Sequence, residues 1–294
     1  MRKIFNYLVP TVLVLGTLTS CSGDGDGKEI DSDIKDSSKT LMTNFDIKVF
    51  SIPSPVQTSM LINQLNLPFY SDILNDPEKV SGYSTKSTQA LNLGVYGTDL
   101  GYSALYNESS YSLKYLSAVQ KLSEKLGLSG AFDKSFMKRF EGHLSNQDTL
   151  MKLISDAFMQ GDMFLKNDNR KFDAALILAG GWIESMYISS EINIKKATTR
   201  IVERIGEQQW TLVSTIDLLS EYNANGVNDE LIGDLEDLQF YFDKMESKYT
   251  YVEPTTDIED KTTMLNHKLE IKIDTDILNQ ISMKIRSIRE KITN

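Results

Sequence analysis

Residues 90–105 read ALNLGVYGTDLGYSAL, and their spacing predicts the interior of a helix from Ser84 to Tyr106 that carries three glycines. Each glycine inside a helix costs about 0.5–1 kcal/mol relative to alanine, so three of them need a structural reason. On a helical wheel they share a face with leucine and alanine residues. The face comprises Leu93, Gly94, Gly97, Leu100, Gly101, Ala104 and Leu105. Either two helix backbones approach closely at this face, or a channel beside the helix admits a ligand.

The opposite face of the same helix is polar, yet it lacks the lysines and glutamates of an ordinary solvated face. Its members recur at steps of three and four residues: Asn92, Tyr96, Asp99, Ser103 and Tyr106. Two interpretations remain open. The side chains form a hydrogen-bonded seam between helices, or they line a groove in which tyrosine rings pack on a sugar or peptide and polar tips fix its orientation. On the second interpretation these five residues are candidate ligand-binding residues.

A second stretch, AALILAGGWIESMYI at residues 174–188, places a single acid in an apolar helix. Glu184 shares a face with Ile177, Gly181 and Ile188, which predicts that its side chain is buried. Burial raises the pKa of a carboxyl group that has no partner. A tyrosine or lysine partner would make Glu184 structural, whereas a raised pKa would suit a general acid or base.

Tyr187 follows Glu184 by three residues, and both are candidate ligand-binding residues. If Asp99 and Glu184 faced one another, the two carboxyl groups would form a hydrolytic pair with a geometry like that of glycosidases. Nothing in the sequence places these two residues together.

The rest of the chain repeats the helical period, and only six prolines are available to interrupt it. Residues 41–53 alternate weakly and predict an extended lead-in, while residues 265–273 either extend the last helix or form a short strand. The helices predicted from period and capping residues are 54–65, 84–106, 110–126, 133–143, 146–165, 170–191, 198–222, 229–248 and 275–292. The predicted fold class is therefore all-α: a single large bundle of about eight or nine mostly antiparallel helices without a fixed-period repeat.

The first 20 residues have the layout of a secretory signal peptide. Met1-Arg2-Lys3 supply a positive start, and residues 4–15 form an apolar run that is shorter than the roughly 20 residues of a spanning helix. The run leads to Leu18-Thr19-Ser20-Cys21, which resembles the lipobox of bacterial lipoproteins. The resemblance implies that a diacylglycerol is attached to the Cys21 thiol and that the chain is cleaved before this residue. An uncleaved N-terminal anchor is the alternative.

The predicted organisation has three parts. Residues 1–20 are the signal peptide, residues 21–40 hold the lipidated cysteine and a flexible acidic tether, and residues 41–294 form the helical domain. Ser22 resembles the residue that follows the cysteine in lipoproteins sent to the outer membrane. Three acids of the tether resemble the surface-export signals of some Gram-negative groups: Asp24, Asp26 and Glu29. We therefore expect a lipid-anchored outer-membrane protein, with cell-surface exposure as the further expectation.

Composition excludes several classes of function. The chain has 41 acidic and 31 basic residues, and removal of Arg2 and Lys3 with the signal peptide takes its net charge from −10 to about −12. Binding to nucleic acid depends on Lys and Arg neutralising phosphates, so no nucleic-acid partner is expected. Cys21 is the only cysteine, and His143 and His267 are the only histidines. We expect no catalytic residue, no metal site and no cofactor.

The sequence favours a non-enzymatic envelope lipoprotein that is held at the membrane through Cys21 and whose helical domain binds an envelope protein or a small ligand. The alternatives are a hydrolytic enzyme of an unfamiliar type that uses buried carboxylates, and a structural or assembly subunit of an outer-membrane complex. Residues 90–127 also resemble uncharacterised all-helical lipoproteins of Gram-negative bacteria, a resemblance that implies no activity. An exposed apolar patch would point to the assembly subunit.

Overall fold

The computed structural model describes residues 41–45, 48–52, 67–223, 226–257, 262–264 and 268–294. The signal peptide, Cys21, the tether and the helix expected at 54–65 lie outside these ranges. Within the described ranges the chain forms nine α-helices: α1 Lys86–Leu105, α2 Ser109–Lys125, α3 Lys134–Glu141, α4 Gln147–Asn167, α5 Lys171–Lys195, α6 Thr199–Glu207, α7 Gln209–Tyr222, α8 Asp229–Phe242 and α9 Thr275–Thr293. Two short 3-10 helices, Ser71–Ile73 and Pro77–Ser81, precede α1. The all-α bundle expected from the sequence is confirmed.

Helices α1 and α5 form the centre of the bundle. Every residue of α1 from Gln89 to Leu105 is buried, and so is most of α5. The two backbones meet where each helix carries a glycine. A Cβ atom added to Gly94 would collide with the carbonyl oxygen of Ile177, and one added to Gly180 would collide with that of Leu91. Because glycine has no Cβ, these helices pack backbone against backbone.

The contacts also show that α1 and α5 run in the same direction. Leu91 lies against Gly180, and about two turns further along α1 the Oγ1 of Thr98 donates to the carbonyl oxygen of Gly181 at 3.1 Å. The interacting carboxyl groups of Asp99 and Glu184 lie further along both helices. Three helices separate α1 from α5 in the sequence, so no short loop forces this pair to be antiparallel.

The other two glycines of α1 make room for side chains of α4. A Cβ on Gly97 would overlap the ring of Phe158, and one on Gly101 would lie 3.9 Å from Cε of Met151. The glycine face of α1 is therefore covered by α4 and α5. Of the two interpretations of this face, the structure has the close helix–helix approach.

Helix α9 closes the bundle against α1, α5 and α8. Isoleucines recur along α9 at steps of three and four residues; Ile281, Ile285, Ile288 and Ile292 are buried, and Ile277 is half-buried. Arg286 pairs with Glu191 and Arg289 pairs with Glu184, so α9 runs antiparallel to α5. The amphipathic pattern of α9 thus fixes which of its faces is buried, and its two arginines fix its register against α5.

Three two-stranded antiparallel sheets accompany the helices in the described residues. They pair β1 Leu41–Phe45 with β2 Lys48–Ile52, β3 Glu246–Thr250 with β6 Lys268–Lys272, and β4 Thr255–Asp257 with β5 Thr262–Met264. The β3 strand is exposed along its whole length. Ile271 of β6 packs on α6, where a Cβ on Gly206 would lie 2.6 Å from its Cγ2.

Two of the predicted helices are wrong. The structure also decides between helix and strand for residues 265–273. The helix expected over 198–222 is two helices, α6 and α7, which meet at Gln208. Gln208 is buried and its Oε1 accepts a hydrogen bond from Nε1 of Trp182 at 3.2 Å, a contact that periodicity does not reveal. The helix expected over 229–248 ends at Phe242, because the residues that follow pair with β6. That pairing makes part of 265–273 a strand.

Capping residues explain why most other boundaries agree with the sequence to within a few residues. Oδ1 of Asp133 accepts a hydrogen bond from the backbone N–H of Phe136 at 2.7 Å and begins α3. Asn146 caps α4 in the same way. Gly127, just beyond α2, has a positive φ of 72°, as a helix-terminating glycine should.

We predict that Gly94→Ala and Gly180→Ala each destabilise the mature chain by about 1–3 kcal/mol or more, because the new methyl group meets backbone that cannot rotate away. Gly233→Ala in α8 is the matched control. A Cβ there meets nothing within 4 Å, so this change should stabilise the chain by up to about 1 kcal/mol. Urea unfolding followed by circular dichroism measures all three. Wild-type stability of Gly94→Ala would contradict the backbone contact.

Candidate functional site

The polar face of α1 lies inside the bundle. Asn92, Tyr96, Asp99 and Ser103 have no exposed surface, and Tyr106 is half-buried. A ligand could reach the four fully buried side chains only if neighbouring helices moved. Their contacts therefore decide what they do in this conformation.

Asn92 holds the C-terminal end of α9. Its Nδ2 donates to the carbonyl oxygen of Ile292 at 2.6 Å. Beside it, the Tyr83 hydroxyl donates to the carbonyl oxygen of Thr293 at 3.2 Å and accepts from Nδ2 of Asn75 at 3.1 Å. The last carbonyls of a helix have no partner within the helix, so these side chains provide the bonds that the helix end lacks.

Tyr96 and Ser103 connect α1 to its neighbours. The Tyr96 hydroxyl donates to the carbonyl oxygen of Asp76 at 2.8 Å. Burial, together with the nearby Tyr83 and Asp99, raises the pKa of Tyr96. Oγ of Ser103 donates to the carbonyl oxygen of Leu100 at 3.0 Å and accepts from Oγ of Ser112 in α2 at 3.3 Å. These hydroxyl groups are satisfied by protein atoms.

Tyr106 belongs to an aromatic cluster at the C-terminal end of α1. Its ring centroid lies 4.9 Å from that of Tyr102 and 5.7 Å from that of Phe69. Burial raises the pKa of Tyr106 to about 12. Its neighbours are aromatic rings rather than the carboxyl groups of α1 and α5, so Tyr106 lies apart from those carboxyl groups.

Glu184 has the partner that its burial requires, and that partner is an arginine. Nε and Nη2 of Arg289 in α9 donate to Oε2 and Oε1 of Glu184 at 3.0 and 3.1 Å, which makes the ion pair bidentate. Glu184 has no exposed surface and the Arg289 side chain is 11% exposed. The guanidinium also lies 4.6 Å from the ring centroid of Tyr187. Charge, hydrogen bonds and ring contact together hold Arg289 in place.

Asp99 lies beside this ion pair. Its Oδ2 accepts a hydrogen bond from the backbone N–H of Asn75 at 3.2 Å, while its buried Oδ1 accepts none from the described part of the chain. Burial and the nearby Glu184 carboxylate raise the pKa of Asp99 well above its ordinary value, against the opposing effect of Arg289. The cluster contains two carboxyl groups but one guanidinium.

The parallel packing of α1 and α5 thus brings Asp99, Glu184 and Tyr187 together around Arg289, with Asn92 holding the end of the same helix α9. Ser103 and Tyr106 contact other neighbours. The two carboxyl groups are adjacent, as a hydrolytic pair would need to be, but neither reaches solvent and Glu184 already accepts two charged hydrogen bonds. In this conformation the cluster can hold a proton and stabilise helix packing.

The sequence did not identify three of the residues that contact these side chains: Arg289, Tyr83 and Asn75. Arg289 did leave a signal, because it lies four residues after Ile285 and three before Ile292 on the apolar stripe of α9. A charge on a buried stripe needs a buried counter-charge, and Glu184 is the acid predicted to be buried. Asn75 and Tyr83 precede α1 in irregular chain and left no comparable signal.

Metal and membrane features are absent from the ranges that the structure describes. There, no three His, Cys, Asp or Glu side chains are grouped so as to bind a metal ion. None of the helices in these same ranges combines the length and apolar character that crossing a bilayer requires. No protein-family model matches the sequence, and comparisons with curated proteins and with solved structures find no significant match.

Proposed function

We propose that the chain is an outer-membrane lipoprotein, anchored through a lipid on Cys21, whose helical domain binds a partner protein of the cell envelope. The anchor rests on the signal peptide and on the Leu18-Thr19-Ser20-Cys21 lipobox resemblance. One structural observation carries the preference for binding over catalysis: the carboxyl groups that would do chemistry are buried, and Glu184 is committed to Arg289.

A protein partner is favoured over a small ligand by the surface at the start of α7 and the end of α8. Trp210 and Phe240 are 66% and 61% exposed. The rings of Phe240 and Tyr241 lie 5.8 Å apart, and Nζ of Lys244 lies over both. Exposed tryptophan and tyrosine side chains are enriched among the residues that dominate protein interfaces.

The charge of α8 indicates what kind of partner this surface fits. Residues 229–242 contain five acids and no lysine or arginine. The Gln209–Asp243 hydrogen bond of 3.1 Å joins the start of α7 to the residue that follows α8. Aromatic rings beside an acidic helix are complementary to a partner that presents basic and apolar side chains. An assembly subunit of an outer-membrane complex would use the same kind of surface.

A hydrolytic enzyme is the second candidate, and the adjacency of Asp99 and Glu184 is the observation that favours it. It would require α9 to leave Glu184 so that substrate could enter. Turnover of a glycan by wild-type chain but not by Glu184→Gln would favour the enzyme over the binding protein.

Replacing Cys21 tests the anchor. We predict that Cys21→Ala removes the lipid mass from the mature chain and releases the protein from the membrane fraction, since the thiol is the only site for the diacylglycerol. Mass spectrometry and fractionation measure both effects. Ser20→Ala keeps a small residue in the lipobox and is expected to leave lipidation intact. Lipid or unchanged membrane attachment on Cys21→Ala would contradict the anchor.

The binding surface is tested in the full lipidated chain in its native cells. A photo-crosslinking amino acid at position 210 or 240 is expected to give the same discrete product. Position 163 on α4 is the matched control, because Met163 is a comparably exposed apolar residue at 56%.

The captured partner is then purified and its affinity measured. Trp210→Ala and Phe240→Ala should each weaken binding at least about tenfold, as is typical of a dominant interface residue, while Met163→Ala should stay within about twofold. Equal crosslinking at all three positions, or unchanged affinity of the first two variants, would overturn the proposed surface.

A further inference from the structure

We propose that Asp99 and Glu184 share one proton inside the bundle. This proton stabilises the packing of α9 against α1 and α5, and we call the arrangement the proton latch. The starting observation is a charge imbalance. Two buried carboxyl groups surround one guanidinium, so full ionisation would leave a negative charge with no counter-charge in the interior. Such a charge is costly to bury, and binding a proton removes it.

Geometry assigns the proton to Asp99. Glu184 already accepts two hydrogen bonds from Arg289 and is best placed as the carboxylate. Asp99 accepts a single hydrogen bond, from the backbone of Asn75, and its Oδ1 accepts nothing within the described residues. A neutral Asp99 can donate to Glu184, an interaction that itself raises the pKa of Asp99.

The titratable groups that face Asp99 come from four helices, and the segment before α1 adds the backbone N–H of Asn75. Helix α5 contributes Glu184, α9 contributes Arg289, α2 contributes Tyr115 and α1 itself contributes Tyr96. The pKa values of Tyr96 and Tyr115 are raised by burial, so both remain neutral through the range in which a carboxyl group loses its proton. Arg289 stays charged throughout. Asp99 is therefore the group in this cluster whose protonation changes with pH, and the change lies above the ordinary range of an aspartate because its pKa is raised.

Helix α9 is the element that we expect to open locally when Asp99 loses its proton. Asp99 can become hydrated only if a neighbour moves away from it. The α1–α5 contact is backbone on backbone at Gly94 and Gly180, so these two helices cannot separate slightly without losing it. Helix α9 instead presents one face to solvent, including Met283 at 61% exposure. Loss of the proton from the Asp99 carboxyl to solvent water thus favours local opening of α9.

The expected pH dependence has a definite sign. In the opened state Asp99 has its ordinary pKa of about 3.9, whereas in the closed state the pKa is raised. The stabilisation that the proton latch gives to the closed state is fully present below the opened-state pKa. It is lost as the pH rises towards the raised closed-state pKa. Between the two values, each pH unit lowers the closing equilibrium constant by up to about tenfold.

Hydrogen–deuterium exchange of the α9 amides, corrected for intrinsic rates, tests the proton latch in the full mature chain from pH 5 to pH 9. Wild-type protection should fall with pH at up to about tenfold per unit. Asp99→Asn imitates the protonated acid, so its α9 protection should be nearly constant. The histidines are present in both proteins and cancel in the comparison.

The control variant is Asp234→Asn, which removes the ion pairs that Asp234 of α8 makes with Lys284 and Lys291 of α9. The pKa of Asp234 is lowered by these lysines, so the residue is ionised throughout the range. A merely structural loss of α9 contacts should lower protection by a similar factor at every pH and keep the wild-type slope. Constant wild-type protection, or an unchanged slope in Asp99→Asn, would overturn the proposal.

Infrared spectroscopy provides a second readout that does not depend on how well a variant folds. Wild-type chain at neutral pH should show the carbonyl band of a neutral carboxylic acid. This band should persist while α9 protection falls and should disappear only when the pH exceeds the raised pKa of Asp99. Absence of the band at neutral pH would overturn the shared proton.

Discussion

The packing of α9 depends on the bidentate pair between Glu184 and Arg289, because both charges are buried and each is hydrogen-bonded to the other. Burying two ions is costly, and the cost is offset only where geometry and hydrogen bonds are nearly ideal. Arg289 therefore fixes the register of α9, and the carbonyl groups at the end of that helix then reach Asn92 and Tyr83. Asn92, a candidate ligand-binding residue, thus bonds to the end of this helix.

The ion pair in turn depends on how α1 and α5 pack. Gly94 and Gly180 let the backbones touch, and the parallel direction of the two helices brings Asp99 beside Glu184. An alanine at either glycine would separate the helices and loosen the cluster. The same closeness creates the excess negative charge that a proton neutralises, so tight packing and sensitivity to pH have one cause. The surface away from this cluster remains available for a partner.

Local signals made much of this fold predictable. Asp133, Asn146 and Gly127 mark helix ends through bonds or backbone angles that depend on a few neighbouring residues. The burial of Glu184 was predicted from its apolar face, but its partner was expected to be tyrosine or lysine. Pairing with Arg289 across 105 residues, and adjacency to Asp99, depend on which helices pack together and in which direction. Periodicity within one helix carries no information on either, and the break at Gln208 was missed for the same reason.

The stability of Arg289→Met, compared with the double variant Glu184→Met/Arg289→Met, tests the central role of the ion pair most directly. Urea unfolding of the mature chain should show a loss of about 3–5 kcal/mol for Arg289→Met, because it leaves a buried carboxylate without a counter-charge. The double variant should be more stable than this single variant, since it leaves no charge behind. Arg286→Met, whose pair with Glu191 is partly exposed, should lose no more than about 1 kcal/mol. A similarly small loss for Arg289→Met, or a double variant less stable than either single one, would contradict the account.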